Sequence, residues 1–195
     1  MSLEIVHYPH PVLRHVSKPV QRVDRQLRAW VAQMFDLMYD HEGVGLAANQ
    51  VNLPYRLFVM NPTGDSQKPE EELVLINPVL SRGQGQQVRE EGCLSLPGVH
   101  AEVTRNKTIH LDAYDLDGNH IVLDLKDFPA RVVQHETDHL DGRLFIDRLP
   151  PSVQATLRDQ VAEFEIAYES RITTGEAPDH AQAMALLAEL EAQRA

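Results

Sequence analysis

An α+β fold is predicted for this chain of 195 residues from three observations: an apolar repeat at helical spacing near its start, a long extended middle, and a second helical stretch entered through a proline. Its length is that of one ordinary domain, and 43% hydrophobic residues are enough for a core. After Asp24, apolar side chains recur at Leu27, Trp30, Val31, Met34, Leu37 and Met38, one buried helical face. Asp24 is the expected cap, with Gly43 and Gly45 the expected stop. "YRLFVMN" (55–61) and "LVLINPVL" (73–80) read as strands on either side of a polar Pro/Gly loop. Residues 100–128 are again extended, with "DLDGN" (115–119) as a turn. Pro129 suits the first turn of a helix through "ARVVQHETDHL", and Gly142 its end. A further helix follows Pro151, its face marked by Val153, Leu157, Val161, Phe164 and Tyr168. "TTGEAPDHAQ" (173–182) reads as a linker and "AMALLAELEAQ" as a last short helix, which gives a main domain over 1–170 and a linker with a helical tail over 171–195.

A formal charge of −11 at pH 7, with no run of Lys or Arg, argues against nucleic acid or an anionic membrane as a partner. The opening "MSLEIVHYPHPVLRHVSKPV" breaks its apolar pieces with Glu4, His7 and Arg14, so neither a signal peptide nor a membrane span is expected there, and the expected compartment is the cytoplasm. The only cysteine, Cys93, is either an inert core thiol or a chemically employed one.

"QHETDHLDG" (134–142) carries the chemistry. On a helix, His135 and His139 lie on one face and can direct ring nitrogens at a single ion, while Glu136 is turned aside to act on a water next to it. The bland alternative is a solvated polar helix face. A catalytic ion usually takes three protein ligands. Phe145 stands where a metzincin would place its third histidine. Upstream, "EEGCLSLPG" offers Cys93, a soft ligand suited to Fe²⁺ or Zn²⁺. "GVGLAANQ" (43–50) is a Gly-rich loop that lets backbone approach a ligand, and Gln50 could aim amide donors at a developing oxyanion.

In this order and at these intervals, "GVGLAANQ", "EGCLS" and "QHETDH" resemble the three signature motifs of the peptide deformylases, and "YPHPVLR" (8–14) resembles that family's start. The resemblance spans roughly residues 1–165. It implies mostly antiparallel sheets packed around the helix that carries His135, Glu136 and His139, and an enzyme that removes the N-formyl group from the initiator methionine of nascent polypeptides. Carried onto this sequence, it makes Cys93, His135 and His139 ligands of one Fe²⁺, with Zn²⁺, Ni²⁺ or Co²⁺ as substitutes in purified protein. Glu136 becomes the general acid/base, Gln50 and the Leu94 N–H the oxyanion donors, and Gly45 a backbone partner of the substrate. Val44 and Val132 are the aliphatic candidates for the methionine pocket. A different metallohydrolase would need another third ligand, and a non-catalytic relative would be expected to have lost a ligand, the base or the donor.

Two positions depart from the family pattern. His100 stands where an arginine often helps to bind the peptide backbone, which alters the expected substrate anchor. His10 replaces an aspartate and is expected at the surface, without consequence. In the tail, Glu176, Asp179, Glu189 and Glu191 outnumber Arg171 and Arg194, so proximity to the ribosome would not come through a basic helix. Met184, Leu187 and Leu190, widened by Ala183 and Leu186, form an apolar stripe expected to pair with a second copy in a homodimer or to fold back on the chain itself.

Overall fold

The structure is a computed structural model that describes residues 2–193. Asp24 caps α1 (Arg25–Asp40) as expected, its carboxylate accepting the Leu27 N–H at 2.8 Å. β1 (Gly45–Ala47), β2 (Leu57–Met60), β3 (Leu73–Cys93), β4 (Leu96–Tyr114) and β5 (His120–Lys126) then form one antiparallel sheet in chain order. The several small sheets expected are thus a single one. Register shifts after Ile76, Ser81 and Glu91 bend the long β3–β4 ladder without ending it. β3 also continues from Ser81 to Cys93, where a largely exposed, polar stretch has no apolar alternation to reveal it.

The short strands are buried on both sides. Leu46, Leu57, Val59 and Ile76 share a cluster with Leu27, Met34 and Met38 of α1, whereas their neighbours Ala47, Phe58, Met60 and Leu75 join Val132, Val133 and Leu140. Those last three belong to α2 (Asp127–Leu140), the central helix, which touches every strand. α2 starts at Asp127, so Pro129 falls in its first turn as expected, and β5 runs into it with Asp127 at φ 56°. Gln134 pins it to β4: its Oε1 accepts the Asn106 N–H at 3.0 Å, and its Nε2 donates to the Asn106 carbonyl at 2.9 Å. Gly142 ends the helix as predicted, with φ 69° and its N–H on the His139 carbonyl. A Cβ at that position would lie 2.6 Å from the Arg14 carbonyl oxygen, so the stop is also a point of close backbone contact.

Past the site, α3 (Pro151–Thr173) passes position 170 unbroken, so the predicted boundary coincides with no break in the backbone. Its predicted face is only partly covered; Val153, Leu157 and Phe164 pack at the margin of a cluster containing Val12, Leu13 and Phe145. α4 (His180–Ala192) is capped by Asp179 and buries Ala183, Leu187 and Leu190 against the chain's own body. Leu187 joins the Val12 and Leu13 cluster, Tyr55 Oη donates to the Leu190 carbonyl, and His15 pairs with Glu191 at 2.7 Å. Of the two expectations for the stripe, folding back on the chain is the one seen, although Leu186 stays exposed; a dimer through the buried residues would require α4 to leave. The expected linker is likewise held: Tyr168 Oη donates to the Pro178 carbonyl at 2.8 Å, and the Glu176 and Ala177 N–H groups donate to Arg171. Arg194 lies outside the described residues.

His10 overturns the surface expectation. It is 6% exposed, its Nδ1 accepts the Val12 N–H at 3.3 Å to cap the turn over Pro11–Arg14, and its ring meets Tyr168 edge-on at 5.8 Å. Among the described residues, no helix is long and apolar enough to cross a membrane.

Candidate metal centre

The β3–β4 hairpin turn and the middle of α2 meet at one point. Cys93 pairs with Leu96 across the tip, so Leu94 and Ser95 make a two-residue turn. Facing it, His135 and His139 project from successive turns of α2. The three ligand atoms of Cys93, His135 and His139 lie within 4.8 Å of one another, with Cys93 Sγ 3.3 Å from His139 Nε2. The predicted triad is thus assembled from two elements. Phe145 packs its ring on His135, with centroids 6.3 Å apart, in keeping with its apolar character.

Sequence reasoning missed what holds the triad. Glu91, two residues before Cys93 in β3, accepts from His135 Nδ1 at 3.0 Å, from Arg105 at 2.9 and 2.8 Å, and from Arg131. Its carboxylate orients the His135 ring so that Nε2 is left for the centre. Burial alone would raise the Glu91 carboxyl, but the hydrogen bonds from Arg105 and His135 hold it far below the usual range. Arg105 continues to Asp138, which also takes Arg148, so a line of ion pairs runs Arg148–Asp138–Arg105–Glu91–His135. The only sequence hint was the acid two places before Cys93.

The donor set fits a divalent ion. Burial opposes charge on His135, yet its hydrogen bonds to Cys93 and Glu91 overcome this and lift the ring to about 10. Burial and the neighbouring His135 charge instead push His139 well below its ordinary value. The surroundings therefore favour one positive charge at this spot, where a sulfur and two imidazoles converge, the chemistry of a borderline to soft divalent metal.

Glu136 sits beside the triad, 4% exposed, with Oε2 unpartnered among the described residues. Burial lifts its carboxyl to about 7, against the pull of His135 and Arg105. A Cβ on Gly45 would come within 2.5 Å of Glu136 Oε1, so the absence of a side chain there makes room for the acid. Gln50 accepts the Ala47 N–H on Oε1 at 2.9 Å, which turns Nε2 toward Ser95 Oγ at 3.2 Å and Cys93 Sγ at 3.5 Å. The amide donors thus face the centre.

A cleft of about 740 Å³ opens onto these groups. Val44, Gly45, Leu94, Val132 and His100 all line it, Val132 buried and His100 exposed at the rim. His7, Phe128 and Arg131 line it as well and had given no sequence signal. Gly45 lies in β1, which pairs only with β2 and so offers a free edge.

The family profile described as Polypeptide deformylase matches residues 2–155. The peptide deformylase of Rhodopirellula baltica is 49% identical over 192 residues, covering 98% of this chain and 95% of that protein. The chloroplastic/mitochondrial peptide deformylase 1B of Arabidopsis thaliana is 41% identical over 170 residues, 87% of this chain and 62% of that protein's length. A crystal structure of a mutant of the Arabidopsis protein superposes with a TM-score of 0.83 at 40% identity, covering 87% of this chain and 92% of that one.

Proposed function

The chain belongs to the polypeptide deformylase family, and from that premise we propose which of its residues perform the reaction. The activity is hydrolytic: the formyl group is removed from an N-terminal formyl-methionine, leaving formate and a free amine, and it depends on a metal. We assign the ion to Cys93, His135 and His139 and take Fe²⁺ as the native one, with Zn²⁺, Ni²⁺ or Co²⁺ as substitutes. The convergence of those three ligand atoms within 4.8 Å carries this reading. When bound, the ion supplies Lewis acidity toward water and the formyl oxygen.

The protein's own groups do the rest. Glu136 takes a proton from the attacking water as the formyl carbon becomes tetrahedral, and its buried carboxyl, titrating near neutrality, is suited to returning that proton to the leaving amine. Gln50 Nε2 and the Leu94 N–H donate to the oxyanion from positions fixed in advance by Ala47 and by the hairpin turn. Gly45 extends backbone hydrogen bonding to the peptide along the free edge of β1. Val44 and Val132 receive the methionine side chain, and His100 at the rim meets the following residues in place of an arginine. The substrates are nascent chains; we place the enzyme in the cytoplasm, near the ribosome without a basic tail to bind it. Anaerobic purification, metal analysis and assay on a formyl-Met peptide test the assignment: Cys93→Ser should lose both metal and turnover, and full activity in that variant would refute the ligand set.

A further inference from the structure

α2 has a second working face. Opposite the cleft, Thr137, Asp138 and the following Asp141 look into a separate cavity of about 450 Å³, bounded on its other sides by Arg56, Arg82, Arg143 and Arg148. Four arginines against two aspartates leave two positive charges in excess, in a chain whose formal charge is −11. Arg56 and Arg148 are held in place by Asp141 and Asp138. Arg82 and Arg143 have no carboxylate partner among the described residues. Arg82 sits at φ 51° in the β3 bulge between Ser81 and Gln84, a backbone feature that re-aims a side chain out of the ladder.

Guanidinium groups match the oxygens of a tetrahedral dianion better than they match a lone carboxylate or halide, since each can donate two parallel bonds. The volume is also in the range of small-molecule sites.

We propose that this cavity binds a phosphate-bearing small molecule, with Arg82, Arg143 and Arg148 on the phosphate. The ligand is inorganic phosphate or a mononucleotide, the phosphate being common to both. The cavity shares no lining residue with the cleft, and neither Arg82 nor Arg143 has a part in the formyl chemistry, whereas Arg148 also ends the line of ion pairs to His135.

Calorimetric titration of the metal-loaded full chain with inorganic phosphate and with adenosine monophosphate, against chloride at matched ionic strength, tests this. Saturable binding is expected, weakened about tenfold or more in an Arg82→Gln/Arg143→Gln double variant, the loss of charge-assisted hydrogen bonds. Turnover of a formyl-Met peptide without phosphate should be unchanged in the double variant. Tighter binding of the nucleotide would identify it as the ligand, and equal binding would identify free phosphate; both support the site. Binding equal in wild type and double variant would place the anion at the metal centre and overturn the proposal, as would phosphate no better than chloride, or a short single-stranded RNA that binds when phosphate does not.

Discussion

Glu136 shows how burial tunes one side chain for its task. Its carboxyl is lifted to about 7 by desolvation and packs where Gly45 has no Cβ. Glu136→Ala should leave a folded, metal-loaded protein whose turnover falls by about 100-fold or more, because the base is lost but no ligand is; metal content measured beside kcat checks this, and wild-type kcat with metal bound would contradict it. His10 illustrates the opposite direction. Burial, with Arg171 nearby, lowers its ring to about 4 from the ordinary 6.5. Between those values the unfolded chain holds the extra proton, so acidification through that window favours unfolding, whereas above 6.5 the contribution is constant. Comparison of urea midpoints at about pH 7 and about pH 5 should show a wild-type loss larger by roughly 1–2 kcal/mol than that of His10→Asn, which retains a cap acceptor but does not titrate. Parallel losses would mean that His10 contributes nothing to the pH dependence.

Among the elements, α4 is the one whose role the sequence left open between a partner copy and the chain itself. Leu187 and the His15–Glu191 pair attach it to the N-terminal segment, and Tyr55, just before β2, holds the Leu190 carbonyl. That segment donates from Val6 to the Gln50 carbonyl and from Tyr8 to the Ser95 carbonyl, so α4 supports the backbone that borders the proposed oxyanion donors. Truncation at Gly175 should lower the thermal midpoint by several degrees, since it uncovers apolar surface worth on the order of a few kcal/mol; an unchanged midpoint would show that α4 is only loosely applied. The contrast with α2 explains what was legible. His135, Glu136 and His139 are related by helical spacing alone, and a soft third ligand pointed to Cys93. Glu91, Arg105 and Asp138 meet across separations of 14 and 33 positions, with no periodicity to announce them. Residues 81–93 hid their strand because a mostly exposed ladder shows no hydrophobic alternation. His10 looked like a surface change because its burial comes from Tyr168, a residue on α3 that reaches back over the opening turn.

For the molecule as a whole, the one-sheet architecture leaves the proposed metal ligands at the junction of hairpin and helix. Cys93 and His139 are 46 positions apart in the chain. On the proposed ligand set, an ion held by both would be a fastener as well as a reagent, joining the β hairpin to α2 and stabilising the folded chain because the unfolded one does not hold it. By that linkage the stabilisation is about 4 kcal/mol when free ion stands about 1,000-fold above its Kd. Chelation should accordingly lower the unfolding midpoint of the wild type, and Cys93→Ser, which removes a ligand, should unfold at a lower midpoint that chelator does not move. If the wild type proved equally indifferent to chelator, the ion would be a passenger in the folded state; if it responds, the conditions that strip the metal also loosen the hinge between sheet and helix, and loss of activity and loss of mechanical integrity become one event.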